Sequence, residues 1–243
     1  MRYKILSLMA ATGLGLYTLP ASAQLFNNMA GANSTSTSES TVEVNASDRS
    51  VGDASALAAY IDGSQSLSGQ FEQIVYSNRG EDVSSGSFRL KRPGMFDWQY
   101  TEPSEQRIIS NGTKVYHYDQ DLEQITIRPR SELAGDIAMN LLVGDKKLLE
   151  SFDVSAQPAS KAPARLRSDE PGVTFYELKP KNSSDEIDQV WIVMLDGVIT
   201  GVYVDTGVGQ QSLIVLHDVK RNANIANNAF NFTPPAGVDV IGD

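Results

Sequence analysis

The sequence predicts a mainly β domain with helices, an α+β chain whose strands pair antiparallel. Three observations carry that expectation. Apolar and polar residues alternate with period two from Gly69 to about Arg128, two Asn/Asp-Gly pairs fall between apolar runs, and only two segments repeat their apolar residues at helical spacing. Composition allows a packed core, with 41% of the 243 residues hydrophobic and 21% charged. The formal net charge of −10 has the wrong sign for neutralising phosphates, so nucleic acid is not an expected partner. The chain has no cysteine, which excludes disulfides, thiolate metal sites, a cysteine nucleophile and a lipid-bearing N-terminal Cys.

The first segment is an address rather than a fold element. Arg2 and Lys4 precede an uncharged apolar run from Ile5 to Leu19, Pro20 breaks it, and Ala21-Ser22-Ala23 offers the small residues of a cleavage site. Residues 1–23 are therefore expected to be a signal peptide cleaved before Gln24, because the run falls short of the roughly 20 apolar residues that span a bilayer. Export to a bacterial periplasm follows. Residues 24–53, rich in Ser, Thr and Asn, read as a flexible polar leader that cannot bury enough surface to offset its chain entropy. The domain proper is expected over 54–243. It opens with a short helix, with Asp53 as N-cap, Leu57, Ala58 and Ile61 on one face, and Gly63 at its end.

Strands follow. Phe88 and Leu90 alternate with Ser87, Arg89 and Lys91, and Phe96, Trp98 and Tyr100 alternate with Met95, Asp97 and Gln99. Asn111-Gly112 and Asp196-Gly197 have the signature of two-residue hairpin turns in which both central residues take positive φ. Between the strand groups, Ser131 can cap a helix carrying Leu133, Ile137 and Leu141 at i, i+4, i+8. Ala134, Ala138 and Leu142 widen the stripe, and Gly144 ends it. Gly135 inside that helix costs about 1 kcal/mol relative to Ala, so the segment is either a plain connecting helix or a cover able to move. A second meander passes through Tyr176, Trp191, Tyr203 and Leu216 and ends near Lys220.

One strand breaks the alternation. Val190 to Leu195 is apolar on both faces, so a covering layer must lie on each side. A curved, incomplete barrel lining an interior with one face and a plain sandwich both satisfy this, and periodicity does not separate them.

Reactive constellations are thin. The chain has no G-x-S-x-G elbow, dinucleotide fingerprint, P-loop or H-E-x-x-H. His117 and His217 sit in strands with no third ligand at a fitting spacing, so both read as structural or surface residues. The acid pairs Glu81/Asp82, Asp119/Asp121 and Asp185/Glu186 fall at expected turns, where carboxylates are solvated. No catalytic residue, metal or cofactor is expected.

The stretch Lys91-Arg92-Pro93-Gly94-Met95-Phe96-Asp97-Trp98-Gln99-Tyr100, followed by Glu102-Pro103 and Ile109-Ser110-Asn111-Gly112, resembles the hallmark segment of the periplasmic outer-membrane lipoprotein carrier family, LolA. Phe71-Glu72-Gln73 before it and Phe230-Asn231-Phe232-Thr233-Pro234-Pro235-Ala236-Gly237-Val238 near the end resemble the family's flanking pieces, so the likeness spans about 54–243.

The resemblance implies an unclosed antiparallel β barrel with a helical lid over an apolar cavity. It implies a periplasmic chaperone, acting as a monomer, that takes acylated lipoproteins from an inner-membrane ABC-type releasing complex and carries their acyl chains to an outer-membrane acceptor. A periplasmic protein of the same fold that binds another lipid or glycolipid is the alternative. Carried over by position, Leu90, Phe96, Trp98, Leu133, Ile137, Met139 and Leu141 are expected at the lipid cavity. Arg92 is expected to latch the lid through backbone hydrogen bonds. The leader is longer than the family usually carries and the segment Gln157 to Pro171 has no match in it, and each is expected to serve as a partner contact or a tether.

Overall fold

Backbone pairing runs unbroken through one antiparallel sheet until the final strand. In the computed structural model, which describes residues 54–242 apart from 132–136, 144–146, 182–186 and 208, the elements are as follows. Helix α1 (Ser55–Gly63) precedes strands β1 (Ser66–Ser77), β2 (Gly80–Lys91), β3 (Met95–Glu102), β4 (Gln106–Asn111), β5 (Lys114–Asp119) and β6 (Gln124–Pro129). Helices α2 (Ile137–Val143) and α3 (Lys147–Glu150) separate these from β7 (Phe152–Gln157), β8 (Val173–Pro180), β9 (Gln189–Leu195), β10 (Val198–Asp205) and β11 (Gln211–Arg221). β12 (Asp239–Ile241) closes the chain.

The two meanders join where β1 pairs with β11, giving the order β12-β6-β5-β4-β3-β2-β1-β11-β10-β9-β8-β7. β7 and β12 end the sheet and do not pair with each other, so the barrel is unclosed. β12 lies parallel to β6; all other ladders are antiparallel. Register shifts between Ser68 and Gln70 and between Ser85 and Gly86 mark bulges that place an extra residue in β11 and in β3, and beside each a glycine of β1 or β2 lies against the neighbouring backbone. A Cβ on Gly86 would strike the Gln99 carbonyl oxygen, and one on Gly69 would stand 2.5 Å from that of His217.

The two hairpin signatures resolve differently. At Asp196-Gly197 both residues have positive φ, 49° and 77°, and Leu195 pairs with Val198 across a two-residue turn, as expected. At Asn111-Gly112 only Gly112 is left-handed, at 96°. Asn111 Oδ1 instead accepts hydrogen bonds from the backbone N–H groups of Thr113 and Lys114, so its side chain organises a wider turn.

The doubly apolar strand has a layer on each side. Val190, Ile192 and Met194 join the inner core, while Trp191 and Val193 face outward with Phe175, Tyr203, Leu213 and Val215. Ala162 and Leu166, from the segment expected as a partner contact or tether, are buried in that outer cluster with Ala159 packed against it. The segment is therefore a structural cover. Residues after β11 cover the other outer half: Asp97, 4% exposed, accepts from Arg89 Nε at 2.8 Å and from Arg107 Nε at 2.7 Å, and Arg107 lies beneath the Phe232 ring.

The signal peptide, the leader, Asp53, Leu133, Ala134, Gly135, Gly144 and the pair Asp185/Glu186 lie outside the described residues. α1 begins after Ala54, which makes no side-chain cap. Among the described residues no helix is long and apolar enough to cross a membrane, and no group of acidic, His or Cys side chains is arranged to hold a metal.

Candidate functional site

The concave face of the sheet takes alternate residues from most of its strands, and α1 and α2 lie across it. Leu57, Tyr60 and Ile61 of α1 and Ala138, Leu141, Leu142 and Val143 of α2 share one cluster with Phe71, Phe88, Leu90, Phe96 and Trp98 of the sheet. Of the residues expected at the cavity, Leu90, Phe96, Trp98 and Leu141 meet in this cluster, each no more than 4% exposed. Phe88, on the same alternation as Leu90, shares that face and is as deeply buried. Ile137 and Met139 lie on α2, with their side chains outside what the structure describes, as is all of Leu133.

An apolar strip of helix can be pulled onto such a face by burial alone, but helix ends leave carbonyls that need donors. α1 ends with these groups facing a cluster of cations. Arg92, at the end of β2 before a cis Arg92-Pro93 peptide, spans both helices. Its Nη1 donates to the carbonyl oxygens of Ile61 at 3.2 Å and Ser64 at 2.5 Å, and its Nη2 donates to that of Leu142 at 3.0 Å. One planar guanidinium thus ties α1 to α2 and both to the sheet.

Two further residues, which sequence reasoning missed, complete the clasp. Arg221 Nε donates to Ser64 Oγ at 2.8 Å and its guanidinium lies 4.8 Å over the Tyr60 ring; Asn222 Nδ2 donates to the Gly63 carbonyl at 2.9 Å. Both follow from the end of β11 beside the start of β1. No period or motif marks them, because pairing across more than 150 positions brings them there. The negative end of the α1 dipole favours this cationic surround. Burial lowers the Arg92 pKa from its usual value, with the neighbouring Arg221 cation adding to the effect and Tyr60 and Asp62 opposing it. Burial raises the Tyr60 phenol, and both arginines work against that.

Exposure along the face is graded. One register row runs Phe88, Trp98, Ile108, His117, Thr126 across β2 to β6. Phe88 and Trp98 are buried, Ile108 is half-buried and His117 is exposed, paired with Gln106 Oε1 at 3.3 Å. Along this row the dry part of the face ends just beyond Trp98, whereas the neighbouring row Leu90, Phe96, Ser110, Val115 stays buried as far as β5. The other histidine, His217, is half-buried on β11, and among the described residues neither joins a group of acidic, His or Cys side chains arranged to hold a metal.

An unclosed sheet whose apolar concave face is roofed by short helices, with one arginine clasping the roof, defines a scaffold for enclosing an apolar ligand. Residues 62–233 match the family described as "Outer membrane lipoprotein carrier protein LolA". Over 188 residues, 76% of this chain and 86% of the relative, the chain is 34% identical to the outer-membrane lipoprotein carrier protein of Azotobacter vinelandii. It is 33% identical over 190 residues, 77% of this chain and 89% of the other, to that of Legionella pneumophila strain Lens. Among solved structures, a LolA superfamily protein from Nitrosomonas europaea aligns with a TM-score of 0.45 at 11% identity, covering 73% of this chain and 95% of that one. The chain belongs to the outer membrane lipoprotein carrier protein LolA family.

Proposed function

We propose that this protein is a carrier that holds the acyl chains of lipoproteins against its concave face and delivers them to the outer membrane. The observation that carries the reading is the Arg92 clasp, because it holds two short helices over an apolar face to which both meanders of the sheet contribute. Each methylene kept from water contributes about 0.8 kcal/mol, so a chain of about 16 carbons contributes on the order of 10 kcal/mol before entropic costs. Entry of such a chain displaces α1 and α2 and breaks the hydrogen bonds of Arg92. The empty protein then favours closure, which weakens its hold on cargo by the free energy of closing and lets cargo pass to a tighter acceptor.

The reading assigns the periplasm as the place of work. It assigns an inner-membrane ABC-type complex as donor and an outer-membrane lipoprotein acceptor as recipient. It assigns no bond-making or bond-breaking step: the protein's part is to bind, shield and release. A triacylated lipoprotein diluted out of detergent tests this directly. With the purified protein present it stays soluble in a one-to-one complex and moves to outer-membrane vesicles bearing the acceptor; sedimentation of the lipoprotein despite equimolar protein would overturn the reading.

A further inference from the structure

The inner core is apolar except at a few atoms. Among the described residues, three buried side-chain polar atoms make no hydrogen bond: Trp98 Nε1, Tyr60 Oη and Thr200 Oγ1. Two of the three belong to the cluster between sheet and helices. Trp98 is 1% exposed, and its ring packs on Phe71 at 4.2 Å and on Phe88 at 5.2 Å between centroids. Tyr60 joins the same cluster from α1, with its hydroxyl beside the Ile199 backbone. A phenyl ring at position 98 would give the same stacking without burying an N–H that has lost water and gained no acceptor.

Position along the face makes the indole informative. Trp98 is the last buried residue of the row that continues through half-buried Ile108 to exposed His117. An acyl chain lying along this face with its tail toward Phe88 and Phe71 would bring its first polar group to this boundary. That group, in an ester-linked or amide-linked chain, is a carbonyl with lone pairs and no hydrogen to donate. An N–H donor is the complement it requires.

We propose that the Trp98 indole N–H donates a hydrogen bond to the ester or amide carbonyl of a bound acyl chain, setting how deep the chain sits and distinguishing acyl chains from plain hydrocarbon. The inference rests on the carrier reading and names the part of the cargo that the site recognises. Tyr60 Oη offers a second donor from α1, so a bound carbonyl can also be contacted by the roof.

The test pairs two lipids that differ only in the carbonyl: dipalmitoylglycerol, with ester links, and dihexadecylglycerol, with ether links. Displacement of a fluorescent fatty acid from the full-length mature protein measures each affinity. The expected result is that the native protein prefers the ester by about 3- to 10-fold, the scale of one neutral hydrogen bond. In Trp98→Phe the preference falls below about twofold, and the infrared carbonyl band of the bound ester moves to higher frequency than in the native complex. Equal binding of both lipids by the native protein, with a carbonyl band like that in hydrocarbon solvent, would overturn the donor role and leave the carrier reading intact. Binding of neither lipid would overturn both. If Trp98→Phe does not fold, the ester-to-ether ratio and the carbonyl band of the native complex still decide.

Discussion

The two faces of the sheet are both apolar across β8 to β11, yet they are covered by different means. On the convex face the cover is chain that packs as core: Ala162 and Leu166 sit among Trp191, Phe175 and Tyr203, and the Arg165 guanidinium lies 3.5 Å over the Tyr76 ring. On the concave face the cover is two short helices whose ends are held by side-chain donors from Arg92, Arg221 and Asn222. Burial of apolar surface is lost steeply when a cover lifts, because water must wet both sides. A guanidinium that gives up carbonyls can be rehydrated, so its hydrogen bonds contribute only a modest net stabilisation. The concave cover buries Leu57, Ile61, Leu141 and Leu142 as well, and what sets it apart is that its helix ends also depend on side-chain donors that water can replace.

Two substitutions set that contrast at its widest. Phe96→Glu places a carboxyl in the apolar cluster, at a residue 0% exposed in the closed form. A loss of more than about 4 kcal/mol in urea-measured stability is expected, with lipoprotein loading abolished. Native-like stability in that variant would mean that the concave face is already wet when empty. Trp191→Ala on the convex face is expected to cost about 3 to 5 kcal/mol in the same measurement. The fraction that remains folded should bind acyl ligands within twofold of the native protein. A large change in affinity would remove the distinction between the faces.

Much of this contrast was legible in the residues, and the illegible part has a common cause. Alternation located Phe88, Leu90, Phe96 and Trp98 on one face because a strand's period is local. The doubly apolar run from Val190 to Leu195 required two covers, and both exist. Which chain supplied the outer cover was not legible: residues 157–171 are polar enough to pass for a loose loop, and only Ala162 and Leu166 enter the cluster. Arg221 and Asn222 were invisible for a related reason, since their partners Tyr60, Gly63 and Ser64 lie at the opposite end of the domain's sequence. At Asn111-Gly112 the dipeptide suggested one turn, and the Asn111 side chain, by accepting two backbone N–H groups, selected another.

The clasp itself gives a smaller effect than the core substitutions. Arg92→Leu removes donors from the Ile61, Ser64 and Leu142 carbonyls while keeping an apolar stem. Closure of the empty protein should weaken by about 1 to 2 kcal/mol, raising the apparent affinity for acyl cargo about tenfold and slowing hand-off to the acceptor in proportion. Arg92→Lys keeps the charge but cannot reach all three carbonyls, so it should fall between. Unchanged release from Arg92→Leu would place the hold on the roof elsewhere, with Arg221 the next residue to replace.

The smallest expected effect concerns pH, and it too separates the faces. The arginines that clasp the concave cover stay charged at every pH at which the protein is folded, so the clasp itself has no switch near neutrality. On the convex side, His217 lies in the outward register of β11 opposite Gln70, and burial lowers its pKa below the usual 6.5, with Glu72 and Asp218 opposing. A histidine held neutral by the fold takes up its proton more readily when unfolded. Its presence therefore costs nothing above about pH 7, and the fold loses stability as pH falls through the unfolded value toward the folded one. With the ring half-buried, the loss should amount to about one or two degrees in Tm between pH 7.5 and 5.5. His217→Gln should remove that increment while leaving acyl affinity unchanged across the same range. A pH-dependent affinity that vanishes in His217→Gln would show instead that the convex face is coupled to the concave cover through β1 and β11.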